Sequence, residues 1–247
     1  QTEEIQSAIF LEKLQPKMFL FENVRGLLTH DHGRTYATML EIFEHAGYTI
    51  DRKVLNAWNY GAPQKRERLI TIGIRNDLVG KTTYEFPKPH DYKPVLRDVL
   101  LDCPEGPGVQ YGEKKKKIFE LVPAGGYWRD IDPEIAKEYM KSCWNMEGGR
   151  TGILRRMSLD EPCLTVLTSP SQKQTERCHP LEARPFTVRE NARCQMFPDE
   201  WEFCGTVASQ YKQVGNAVPV GLAFDVAKEI HKSLDNLDKA EVNLEEE

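Results

Sequence analysis

Apolar residues recur on a helical period over residues 3–14 and then, past Pro16, collapse into the continuous run Met18-Phe19-Leu20-Phe21. The first pattern predicts an amphipathic helix stopped by proline, and the second a short buried strand. Met39, Ile42, Phe43 and Ala46 lie three, four and seven apart, which predicts a helix over 35–45 with Gly47 as its C-cap. Residues 48–55 and 69–74 read as two strands, paired as a hairpin that closes the edge of a sheet. Strand, helix, strand, strand in residues 1–75 is the order expected of the back half of a doubly wound α/β domain.

From residue 76 to 184 prolines and glycines are frequent and helical periodicity is poor, with short apolar runs such as Cys163-Leu164-Thr165-Val166-Leu167. The expectation is a smaller, loop-rich, mostly β domain. Helical patterns return over 188–195 and 221–234, the second with Leu222, Ala223, Val226, Ala227 and Ile230 on one stripe. The expected division is therefore 1–75, 76–184, helices of 185–234 returning to the first domain, and an acidic tail over 235–247.

The formal charge of −5 argues against a nucleic-acid binder only until its distribution is read. Six acids and Lys239 from Ser233 onward account for all of it, so the rest of the chain is neutral and free to carry local basic patches. That tail is expected to be frayed. Six cysteines at 103, 143, 163, 178, 194 and 204 form no C-x-x-C pair and no regular spacing with histidine. This argues against a metal site or a disulfide framework and fits a reducing compartment. No run of apolar residues is long enough to span a bilayer, so a cytoplasmic protein is expected.

The chemistry concentrates in four stretches. Gln64-Lys65-Arg66-Glu67-Arg68 leads out of a Tyr-Gly-Ala-Pro turn into a strand, and strict alternation would put Gln64, Arg66 and Arg68 on one face. Two guanidiniums beside an amide suit an anion or a base edge, although the bare string also fits a solvated strand start. Glu22-Asn23-Val24-Arg25 follows the first apolar strand, setting a carboxylate where open α/β sheets carry their sites. Arg189-Glu190-Asn191-Ala192-Arg193-Cys194-Gln195 and Gln213-Val214-Gly215-Asn216-Ala217-Val218-Pro219 complete the set. In this order the four stretches resemble the later conserved blocks of the DNA (cytosine-5) methyltransferases, of the bacterial restriction-modification kind.

The resemblance implies an S-adenosyl-L-methionine-dependent enzyme acting on double-stranded DNA, with the target cytosine flipped out of the stack. Attack at C6 of the base pushes electron density into N3 and O2, and the resemblance gives Glu22 the task of donating to N3. Arg66 and Arg68 would neutralise O2 and the target phosphate. Asn216, Ala217 and Val218 would return to the cofactor pocket, with Gly215 permitting close backbone approach. Residues 76–184 correspond to the target-recognition region. Gln64, Arg129, Arg150, Arg155, Arg156, Gln172 and Lys173 are the expected DNA contacts, within the stretches 128–130, 149–152, 155–156 and 169–177. Lys114–Lys117 reads as a phosphate-steering patch, and Arg189, Arg193 and Gln195 as structural.

The family's Phe-x-Gly-x-Gly cofactor loop and its Pro-Cys-Gln nucleophile loop do not occur in these residues. Glu161-Pro162-Cys163 is a decoy for the second, because it falls in a strand-like run inside the recognition region. The expectation is a portion of such an enzyme that needs an N-terminal half or partner subunit for its thiolate. The competing reading is a non-catalytic DNA-binding or regulatory module.

Overall fold

The computed structural model describes residues 9–148, 150–170 and 172–245, with side chains through residue 239. The first half of the helix expected over 3–14 lies outside the described residues, while residues 9–14 are helical. In chain order the named elements are β1 (Met18–Val24), α1 (Arg34–His45), β2 (Tyr48–Asn56), β3 (Gln64–Lys65), β4 (Glu67–Arg75) and α2 (Arg97–Leu100). There follow α3 (Glu113–Leu121), α4 (Pro133–Met140), β5 (Cys163–Leu164), α5 (Val188–Cys194), α6 (Val207–Asn216) and α7 (Val220–Glu245). They form two compact units, one of residues 1–56, 67–89 and 223–247, the other of 57–66 and 90–222. The expected boundary at 75/76 and the return of residues 185–222 to the first domain are thus drawn differently by the contacts.

In the first unit the sheet order is β1–β4–β2, with both neighbours antiparallel to β4. β2 and β4 pair as expected, but β4 is the middle strand and not an edge. Burial explains the position. Leu69, Ile70, Thr71 and Ile72 are successive and all at most 2% exposed, so both faces of β4 are covered. Gly73 is required where a Cβ would collide with the Phe19 ring. α1 lays Met39 and Phe43 on the sheet, where Phe43 meets Phe19 at 5.0 Å between ring centroids and Tyr48 meets Phe19 at 5.1 Å. Gly47 closes the helix at φ +94°, as its position predicts. α7 buries Leu222, Val226, Ser233 and Leu237, whereas Ala223 and Ala227 of the expected stripe are exposed. Ser233 joins it to the loop after β4: the Thr82 hydroxyl donates to its carbonyl at 2.7 Å, and its own hydroxyl donates to Thr83 O at 2.8 Å. The helix runs on through residue 245, so the acidic segment is helical and not frayed.

The second unit has two cores. Leu96, Leu100, Val166, Phe186, Val188, Tyr211 and Val214 build one. Phe119, Val122, Trp128, Met140, Ile153 and Leu154 build the other. Residues 76–184 are loop-rich, but their regular segments are mainly helical. α3 was hidden in the lysine run, and α4 carries a start signal: Asp132 accepts from the Glu134 amide at 2.8 Å and Pro133 occupies the first turn. Lys115 turns inward to Glu176, 2.6 Å away and fully buried, so it is no phosphate-steering residue; Lys114, Lys116 and Lys117 remain exposed.

A buried polar network ties the first of these cores together. Arg66, 1% exposed, donates from Nη1 to Val166 O at 3.0 Å and from Nη2 to Gly215 O and Ala217 O at 2.7 and 3.0 Å. Gln64, with no exposure, accepts from the Val166 amide and donates to Gln195 Oε1, both at 2.8 Å. Gln195 in turn donates to Val214 O at 2.7 Å. β3 pairs in parallel with β5, and α6 comes so close to residues 167–168 that a Cβ on Gly215 would lie 2.6 Å from their backbone. α5 opens with a capping box between Thr187 and Glu190, and Arg184 forks onto the same carboxylate at 2.8 and 2.8 Å. Burial pushes the Glu190 carboxyl up, but Arg184 and the Thr187 amide outweigh it and hold the group below its ordinary value.

Three outcomes are expected. Gly215→Ala must displace backbone and should cost about 1–3 kcal/mol in denaturant unfolding; a loss below half a kcal/mol would show that α6 can shift freely. Arg66→Ala strands the buried carbonyls of Val166 and Gly215 at about 1–3 kcal/mol each, a large part of the whole stability of a domain. A cooperative thermal transition close to the parent's would contradict this. Because the folded Glu190 is more acidic than the unfolded one, its contribution is complete above the ordinary carboxylate value and is lost as pH falls through the folded value. Glu190→Gln should therefore flatten the acid limb of a melting-temperature profile against pH.

Candidate active site

Glu22 and Arg68 meet across neighbouring strands of the first unit. Antiparallel register sets Val24 opposite Arg68 and Glu22 opposite Ile70, so the carboxylate and guanidinium share one face of β1 and β4 with Leu20 and Val24. Arg68 Nε lies 2.7 Å from Glu22 Oε1, with the side chains 12% and 26% exposed. Leu20 and Val24 are 45% and 52% exposed, so the pair stands on an open, partly apolar part of the strand. Burial lowers the Arg68 pKa and Glu22 raises it back, and the guanidinium remains charged. Arg68 Nη1 also donates to Glu67 O at 2.8 Å, which fixes the fork against its own backbone. Glu22 lies inside β1, two residues before its end, and Asn23 turns its Oδ1 back to the Val24 amide at 2.8 Å. No helix begins at Glu22 for it to cap.

The alternation expected for Gln64, Arg66 and Arg68 does not survive. Regular pairing breaks at Arg66, between β3 and β4, and each piece follows its own partner strand. Arg66 and Gln64 belong to the buried network of the second unit, where backbone carbonyls and Gln195 occupy their donors. Neither presents its side chain to a base or phosphate. Arg156 and Lys173 are half-buried and spend donors on backbone carbonyls. Arg156 donates to Phe119 O, Val122 O and Pro180 O, and Lys173 Nζ to Tyr139 O at 2.6 Å.

Four of the expected DNA contacts keep part of their side chains exposed, although Arg150 Nη1 donates to Trp144 O at 2.6 Å. Arg129 is exposed, with its guanidinium 4.9 Å from the Trp128 ring centroid, and half-buried Arg150 approaches the same ring at 5.4 Å. Arg155 is half-buried over Tyr127 at 5.8 Å, and Gln172 is exposed. The aromatic residues that position these arginines escaped the sequence reading, although the interleaving Tyr127-Trp128-Arg129 was the available signal.

Of the residues expected at the cofactor, Asn216 is exposed at the end of α6 and offers its amide. Ala217 O already accepts from Arg66 and Gln195, and Val218 is half-buried. The fit to S-adenosyl-L-methionine thus rests on the Asn216 side chain. Cys163 and Cys194 are 1% and 0% exposed, as expected of small buried hydrophobes. Burial pushes the thiols of Cys103 and Cys178 up to about 11 and about 12. Among the described residues no group of His, Cys, Asp or Glu is arranged to hold a metal ion, and no helix is long and apolar enough to cross a membrane.

Similarity to known proteins points the same way as this geometry. Residues 5–232 match the family described as C-5 cytosine-specific DNA methylase. The chain is 55% identical over 222 residues to the type II methyltransferase M.Sau96I of Staphylococcus aureus, covering 89% of this chain and 52% of that protein. It is 48% identical over 251 residues to M.Eco47II of Escherichia coli, covering 96% and 60%. It spans little more than half the length of these relatives. The fold is similar to that of a DNA modification methyltransferase encoded within an Escherichia coli prophage, with TM-score 0.65, 23% identity, and 95% and 75% of the two chains covered. The Entamoeba histolytica methyltransferase EhMeth aligns with TM-score 0.58 at 15% identity, over 95% and 70% of the chains. With nearly its whole length matched, the chain belongs to the C-5 cytosine-specific DNA methylase family.

Proposed function

We propose that this chain supplies the base-binding and target-recognition parts of an enzyme that methylates C5 of cytosine in a specific duplex DNA sequence, within a restriction-modification system. The half-buried Glu22–Arg68 pair carries the reading. A flipped cytosine attacked at C6 accumulates negative charge at N3 and O2. Arg68, held by Glu22 and by Glu67 O, offers a fixed cation to O2, and Glu22, once its carboxyl group has taken up a proton, would donate it to N3 through the oxygen that Arg68 does not hold. Bound S-adenosyl-L-methionine supplies the methyl group, and Asn216 is the residue of this chain that would hold it. Residues 76–184, with Arg129, Arg150, Arg155 and Gln172 partly exposed, carry the choice of sequence.

The attacking thiolate comes from another segment, either an N-terminal half or a partner subunit. Cys163, Cys178 and Cys194 are buried, and Cys103 resists ionisation, so four of the six thiols are unsuited to attack. A pure DNA-binding module would have no use for a carboxylate and guanidinium set together on an open strand.

Two measurements test this. Labelled methyl groups should not enter DNA with the 247-residue chain alone; substantial incorporation would overturn the division of labour, and its loss in Cys204→Ser would name the thiol. When the chain is combined with a segment carrying the nucleophile loop, Glu22→Gln should slow methylation by about 10²–10⁴-fold while duplex binding survives. A rate within about twofold of the parent would leave Glu22 no part in the chemistry.

A further inference from the structure

We propose that Arg155 and Arg177 together form a site for one phosphate of the DNA backbone. The proposal rests on the target-recognition reading and adds to it a paired site with a defined ligand.

The pairing follows from backbone register. Residues 156 and 178 form a parallel bridge, in which the Cys178 amide donates to Arg155 O and the Met157 amide to Cys178 O, each at 3.0 Å. Alternation then divides the side chains. Arg156 and Cys178 turn to one side, where Arg156 caps the end of α3 and Cys178 is fully buried. Arg155 and Arg177 are left side by side on the other.

Their Nε–H groups are unfilled where those of Arg156, Arg184 and Arg193 are used. Arg156 Nε bonds the Pro180 carbonyl, while Arg184 and Arg193 bond carboxylates from Nε. The Nε–H groups of Arg155 and Arg177 are both buried and have no acceptor, and among the described residues neither guanidinium has a carboxylate within ion-pair distance. Burial lowers the Arg177 pKa; the Cys163 thiol opposes this, and the charge of Arg155 adds to it. Arginine stays charged even so. Two half-buried like charges with idle donors are costly, and one bound anion removes both costs. A guanine edge is neutral and would leave the charges uncompensated. A phosphodiester brings one negative charge and oxygens that accept from two forks. The Tyr127 ring beneath Arg155 and the bond from Arg177 Nη1 to Glu176 O, 2.9 Å, hold the two planes.

The test is binding of the full chain to two duplexes of unrelated sequence across a salt series, with Arg155→Ala, Arg177→Ala and the double variant. Each single change should weaken both duplexes by the same factor. The double should cost less than the product of the singles, because both serve one ligand, and the slope of log affinity against log salt should fall by about one. Inorganic phosphate should raise the melting temperature of the parent and not of the double variant. Weakening of one duplex alone, an unchanged slope, or equal stabilisation by phosphate would overturn the pair. If the parent binds and the variants match it, only this inference falls. If the parent binds neither duplex, the target-recognition reading falls with it.

Discussion

A fully buried guanidinium obliges its surroundings to meet it with acceptors, and Arg66 is satisfied by three backbone carbonyls from two separate stretches of chain. Such a cation cannot be removed from water unless those carbonyls are already aimed inward, so its burial fixes where residue 166 and the end of α6 must lie. Gln64 and Gln195 extend the same demand, each amide using both its oxygen and its nitrogen. Gly215 follows from it, since the carbonyls converge on one guanidinium only if α6 and the segment after β5 approach more closely than a side chain allows. The pattern suits a region meant to hold loops in fixed positions: where hydrophobic contact is non-directional, a saturated polar network admits a single arrangement.

The neighbouring Arg68 obeys a different logic two residues later. Its partner is a carboxylate on an adjacent strand, and part of both side chains faces solvent. Residues that look equivalent in the sequence are thus separated in kind, one enclosed by backbone carbonyls and one paired with a carboxylate and partly open to solvent. Arg129 and Arg155 of the second unit repeat the contrast, with aromatic rings beside their guanidiniums.

How much of this could be read in advance depended on range. Local signals served well: the stripe Met39-Ile42-Phe43 and Gly47 after it gave the observed helix, because their physics is contained within one or two turns. The family resemblance implied that Glu22 and Arg68 serve one site, but not that they pair with each other. The burial of Arg66 and Gln64 and the carbonyl bonds of Arg156 and Lys173 were not legible, because each is decided by groups many residues away that leave no trace in composition. α3 was missed for a related reason. Four successive lysines mask a helix whose buried side consists of little more than Phe119, with half-buried Ile118 and Lys115 beside it. Period-two reasoning failed at Gln64–Arg68 because it assumes one continuous strand, and a break of one residue reassigns every side chain before it.

Neither compact unit is a continuous stretch of sequence. The first is assembled from three pieces, and the bond from Thr82 to Ser233 joins residues 151 positions apart. A chain made from its N-terminus must therefore complete the whole of the second unit before α7 exists to dock beside β4. During that interval the sheet can form while the surface that Val226 and Leu237 help to close remains wet. The first unit thus contains the strands of this chain that are made earliest, yet it is completed only after every residue of the second has been made.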